Sequence, residues 1–192
     1  MLPIDALPNA LTMNPRNARF TPIPLPKLAA GTAMLGALKS ELPFTAASLR
    51  LALIYGPLQS PAFLIPNLIE KLSSGVKVHI RNPEATRDLL YIDDALDALE
   101  EFNLSLPDDL DCINICSGDA PSMRQVAEAV INATNADPSL VTYGDNAESD
   151  GAVELVGDAS LAESLFGWRA RTSLNDGLMR MIRDGKDAAN DR

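Results

Sequence analysis

The segment FTAASLRLALIYGP, residues 44–57, limits the possible folds of this chain more than any other stretch. It is apolar almost without interruption and ends in Gly-Pro, the pattern of a strand buried on both faces of a parallel sheet. Just before it, PLPKLAAGTAMLGALK (24–39) confines its prolines to the first turn and then places Ala, Leu and Met at helical spacing, as the start of a helix requires. Gly31 and Gly36 weaken that helix and permit close packing. A helix followed by a doubly buried strand is α/β organisation.

The remainder continues in the same way. A proline-bracketed helix is expected from Phe63 to Ser73, then a strand in VKVHI (76–80), a loop in RNPEAT, and a strand that passes into a helix in RDLLYIDDALDALEEF (87–102). Asp93 and Asp94 lie at that junction and read as helix caps, able to accept hydrogen bonds from free backbone N–H groups and to complement the positive helix end; direct chemistry is the alternative reading. The strand DCINIC (111–116) is followed by the turn SGDAPS and a helix opened by Ser122 and Gln125 at capping-box spacing. A last unit holds VELVGD, the helix ASLAESLFG closed by Gly167, and SLNDGLMRMIRD capped by Ser173 with Asp176. Residues 1–20, with three prolines, three asparagines and no clear period, read as an irregular arm, and 186–192 as a frayed, solvated tail. No repeat or internal linker divides the chain, so one domain spanning 1–192 is expected.

Composition excludes several classes. The 192 residues include 46% hydrophobic and 22% charged side chains, too apolar for disorder and without the long apolar run of a membrane span. A net charge of −10 repels polyanions, so nucleic acid is not an expected partner, and without an apolar span neither is a membrane. The two cysteines, Cys112 and Cys116, sit at an even spacing on one face of a strand and read as small buried hydrophobes, since two thiols alone make a poor zinc site. No metal site is expected. The N-terminus lacks a basic segment followed by an unbroken apolar core, so it does not read as a secretory signal, and the cytoplasm is the expected location.

Five blocks occur in order: LRLALIYGP, LIP, RDLLYIDDAL, INICSG followed by Ser122, and GDASLAESLFGW. Together they resemble the C-terminal portion of the extended short-chain dehydrogenases, the NAD(P)-dependent epimerase/dehydratase family that acts on sugar nucleotides. The resemblance covers almost the whole chain. It implies a partial Rossmann-like parallel sheet joined to a small substrate-binding lobe, and a nucleotide-sugar ligand.

What the resemblance implies at individual positions is mixed. Family members use NAD or NADP to oxidise a sugar hydroxyl, with a Tyr general base and a Lys four residues later that lowers the Tyr pKa and holds the nicotinamide ribose. Lys27 stands at the lysine position, as both catalytic and cofactor-binding residue, but Ile23 stands at the tyrosine position and has no ionisable proton. Arg87 fills the family's diphosphate-binding position, where a guanidinium forks onto phosphate oxygens; the other reading of Arg87 is an ion pair with Asp88. A second diphosphate-binding arginine belongs within NAESDGAV, where Glu148, Ser149 and Asp150 occur instead. The strand-end Asn that contacts substrate is replaced near Leu53. Val78 and His79 border the nucleotide base by position.

The family's Gly-rich G-x-x-G-x-x-G turn is not found in this sequence. The expectation is therefore a degenerate or incomplete catalyst that does not bind cofactor alone. The partners implied are a nucleotide sugar, a second copy of the chain, or a complementing chain carrying the Rossmann portion. A non-catalytic nucleotide-binding or protein-interaction remnant is the alternative.

Overall fold

A computed structural model describes residues 25–41, 45–104, 106–108, 110–144 and 154–190 of the 192, with backbone only at 25–32, 104 and 186–190. The expected arm at 1–20, Ile23 and the NAESDG stretch lie outside the described residues.

The order of elements follows the α/β reading. Helix α1 (Leu25–Glu41) precedes β1 (Ser48–Leu51) and β2 (Leu53–Tyr55), then α2 (Leu64–Ser73), β3 (Val78–Ile80), β4 (Thr86–Arg87), β5 (Leu89–Tyr91) and α3 (Ile92–Leu104). After these come β6 (Cys112–Ile115), α4 (Met123–Thr134), β7 (Val141–Tyr143), β8 (Glu154–Leu155), α5 (Ser160–Phe166) and α6 (Leu174–Asn190). Every paired strand among the described residues runs parallel to its partner: β1 with β6, β2 with β5, β3 with β7, and β4 with β8. Parallel pairing demands long crossovers, and α3 and α4 lie in two of them.

The apolar run at 44–57 departs from expectation. It is interrupted at Ala52, where the chain changes its hydrogen-bonding neighbour: Ala52 N–H donates to Ile115 C=O at 2.9 Å, and Leu53 N–H to Asp88 C=O at 3.2 Å. Successive N–H groups of a strand point to opposite edges, so the run joins two strand pairs instead of lying in one. It is also not buried on both faces, because Leu51 is 41% exposed and Leu53 54% exposed, with Tyr55 closed off at 2%.

Two hydrophobic clusters share the strands. One gathers Leu68 and Leu72 of α2, Val126 and Val130 of α4, and Leu178 of α6 around Tyr55 and Tyr91. The other packs Ala98 and Phe102 of α3, Ala162 and Trp168 against Leu90, Ile113 and Ile115. Side chains alternate across a strand, so β5 sends Leu90 to one cluster and Tyr91 to the other.

The helix ends divide into those the sequence marks correctly and one it does not. Ser122 and Gln125 form the reciprocal capping box of α4. Gly167 closes α5 with φ 64°, and Ser173 Oγ caps α6 by accepting from Asp176 N–H at 3.1 Å. Asp93 and Asp94, expected as caps of α3, lie inside its first turn and reach other elements. Asp94, 4% exposed, accepts from Arg171 N–H (3.2 Å) and Thr172 N–H (3.0 Å), while Asp93 pairs with Arg180 at 3.2 Å. Asp94 thus anchors the segment entering α6, and Asp93 pairs with α6 itself. That helix continues through Asn190, into the stretch expected to fray.

Candidate functional site

Arg87 ends β4, a two-residue strand held along both edges. On one side β4 pairs with β8, placing Arg87 opposite Leu155. On the other, Arg87 N–H donates to Pro121 C=O at 3.2 Å, beside an isolated bridge between Thr86 and Ser122. The side chain is half-buried, and Nη1 donates to Thr86 C=O at 2.7 Å.

The next residue, Asp88, is 5% exposed and accepts four hydrogen bonds. Ser117 contributes its N–H (2.9 Å) and Oγ–H (2.7 Å), Gly118 its N–H (3.0 Å) and Gly157 its N–H (3.0 Å). Burial of a carboxylate is costly unless its oxygens are satisfied, and this donor set satisfies them. By sequence, Asp88 reads only as an ion-pair partner for Arg87.

Of the two base-side candidates, Val78 packs partly buried against the α2/α4 cluster, and His79 is exposed, with Nδ1 3.0 Å from Thr142 Oγ1. They sit on β3, paired with β7. Lys27 lies in the first turns of α1, where the structure describes backbone only. Leu53 opens β2 with an exposed apolar side chain. Glu148, Ser149 and Asp150 lie outside the described residues.

Both cysteines are free thiols. Burial first, and then the charges of Asp88 and Asp158, push Cys116 up to about 12. Cys112 is half-buried and is raised chiefly by burial too. Among the described residues, no group of three or more His, Cys, Asp or Glu is placed to hold a metal ion.

A dinucleotide requires free N–H groups at a Gly-rich turn between a strand and a helix N-terminus. Among the described residues, the nearest arrangement of this kind is the Ser117–Gly118 turn between β6 and α4, with Gly118 at φ +75°. Its N–H groups already face the Asp88 carboxylate, and the helix end is capped by Ser122. A phosphate there would meet a negative charge, so this turn does not fit the cofactor. The open groove beside it, about 740 Å³, is lined by Glu154, Asp158 and Glu163 among others, and Arg169 in its wall pairs with Glu163 at 2.6 Å. That lining disfavours phosphate as well.

Residues 21–102 match the model of the NAD dependent epimerase/dehydratase family. The match takes in less than half of the chain, which is thus similar to that family over this segment. It is 27% identical to the CDP-abequose synthase of Salmonella muenchen over 141 residues, covering 70% of this chain and 46% of that relative. Among solved structures it is similar to MoeE5 in complex with UDP-glucuronic acid and NAD (TM-score 0.73, 28% identity, 84% of this chain and 54% of that one). A likeness in fold alone links it to dTDP-glucose 4,6-dehydratase from Bacillus anthracis in complex with NAD (TM-score 0.75, 20% identity, 90% of this chain and 54% of that one). The chain thus spans about half the length of the epimerase/dehydratase relatives it matches. Among the described residues, no helix is long and apolar enough to cross a membrane.

Proposed function

We propose that this chain supplies the nucleotide-sugar-binding part of an epimerase/dehydratase-like protein, with Arg87 facing the ligand's diphosphate, and that alone it does not perform hydride chemistry. What carries this reading is the seat of Arg87. Its backbone is held on one side by β8 and on the other by Pro121, and Nη1 is tied to Thr86 C=O, a seat that supports recognition of phosphate oxygens by a guanidinium. Val78 and His79 are then the base-side residues.

Against turnover by the chain alone stand Ile23, which has no proton to exchange with a sugar hydroxyl, and a Ser117–Gly118 turn occupied by Asp88. Lys27 retains the family's residue type for holding a nicotinamide ribose; NAD or NADP, when bound, would accept the hydride. The cofactor-binding portion is then supplied from outside residues 1–192.

The test is a ligand screen. Addition of UDP or dTDP is expected to raise the melting temperature, as any ligand that binds the folded state does, and Arg87→Ala is expected to abolish the rise. A rise unchanged in Arg87→Ala removes Arg87 from the site. Calorimetry with NAD and NADP is expected to give no heat of binding, and stoichiometric binding would overturn the cofactor half of the reading.

A second reading, a non-catalytic interaction remnant, is favoured by the apolar side chains left uncovered around β2 and α2: Leu53 at 54%, Leu58 at 94% and Phe63 at 57% exposed. Sedimentation of the purified chain tests it. Self-association is expected if a second copy covers those residues; a monomer that pairs with a Gly-rich complementing chain supports the first reading.

A further inference from the structure

We propose that Asp88 is the positioning residue for Arg87. The inference rests on the reading of Arg87 as the diphosphate-facing cation and adds the device that holds it in place. Two segments fix the Arg87 backbone, and the Asp88 carboxylate holds both. Pro121, whose carbonyl accepts the Arg87 N–H, follows the Ser117–Gly118 turn, and that turn donates three hydrogen bonds to Asp88. Leu155, opposite Arg87 in β8, accepts the Asp88 N–H at 2.8 Å and lies two residues before Gly157, which donates to Asp88 Oδ2 at 3.0 Å.

Neighbouring residues of an extended chain direct their side chains to opposite sides. Asp88 turns inward to 5% exposure while Arg87 stays half-buried. The inward carboxylate acts as a clasp between the 117–121 and 155–157 segments. Loss of its charge loosens both edges of β4 together, and a guanidinium on a loose base loses the fixed fork geometry that phosphate recognition needs. Asp88 itself touches no ligand.

Asp88→Asn keeps the size but leaves one acceptor oxygen, and it sets an NH₂ group against N–H donors. Asp94→Asn is the control, since Asp94 is equally buried at 4% and also ties segments together, but binds Arg171 and Thr172 N–H groups and not the neighbours of β4. Two readouts separate positioning from plain stability: the ¹⁵N heteronuclear NOE of the Arg87 Nε–H group, measured without ligand, and UDP affinity by calorimetry. Asp88→Asn is expected to lower the NOE and to weaken UDP binding about tenfold, the scale seen when an outer hydrogen-bonding partner of a binding group is lost. Asp94→Asn is expected to change neither.

If the Arg87 Nε–H signal in Asp88→Asn is as ordered as in the unmodified chain, the positioning role is wrong, whatever UDP does. If the unmodified chain binds no UDP, the reading of Arg87 fails and takes the role of Asp88 with it. Should Asp88→Asn not fold, Ser117→Ala removes one donor and leaves the carboxylate in place. A smaller fall in the same two readouts supports the proposal, and no fall in either overturns it.

Discussion

Buried acids and close glycine contacts hold this molecule at particular points. Asp94, itself buried, accepts from two part-buried backbone N–H groups. Asp94→Ala should therefore destabilise the chain by about 2–3 kcal/mol, the cost of orphaning buried donors beside a charged acceptor, measured by urea unfolding. Gly177 faces a different constraint. A Cβ there would run into Tyr55 Oη and lie 2.8 Å from two ring carbons. Tyr55 is 2% exposed and has nowhere to move, so Gly177→Ala should cost about 1–3 kcal/mol by overpacking. A ΔΔG near zero in the same unfolding assay would show that α6 shifts freely. Neither residue announced its role in the sequence. Asp94 resembled a cap because it stands at a strand-to-helix junction, and Gly177 was one more glycine in a helical pattern.

Helices were easier to read than strands, and the reason is local. The capping box of α4 depends on residues three apart, Ser122 and Gln125, and both hydrogen bonds formed as expected, at 3.2 Å and 2.8 Å. Ser122→Ala should cost about 1 kcal/mol and selectively speed amide exchange in the first turn of α4; uniform exchange across the helix would contradict it. The Gly167 end of α5 needs only a residue that accepts φ > 0. The run at 44–57 differs from its expected form for the opposite reason. Its composition signalled a doubly buried strand, but burial depends on which elements cover each face, and the described residues leave Leu51 and Leu53 open.

For the molecule as a whole, burial of three titratable side chains links stability to pH. Burial raises Cys116, Cys112 and Tyr55 above their ordinary values, so the folded state keeps these groups protonated after the unfolded chain has begun to lose the same protons. The unfolded state then binds fewer protons, and stability must fall as pH rises. Their contribution is complete below the unfolded thiol pKa, about 8.5, and declines as pH climbs toward the folded value of about 12 for Cys116. Chemical denaturation from pH 7 to 10.5 should show that decline, with Cys116 unreactive to a thiol reagent at pH 8 until the chain unfolds. Rapid labelling of Cys116 in the native state would contradict its burial. The sequence alone determined the order of the helices and of most strands, β7 and the break between β1 and β2 excepted, together with the parallel α/β class, the helix ends set by capping residues, and the family likeness, because periodicity, caps and motifs are written within a few neighbouring residues. Only the tertiary structure decided that Asp88 would join residues 29 and 69 positions away beside Arg87. It also decided that Asp94 would serve α6 instead of its own helix, and that part of the apolar strand would stay open. Contacts at such separations exist only once the chain has closed its crossovers, and no local pattern specifies which donors will then converge on one carboxylate.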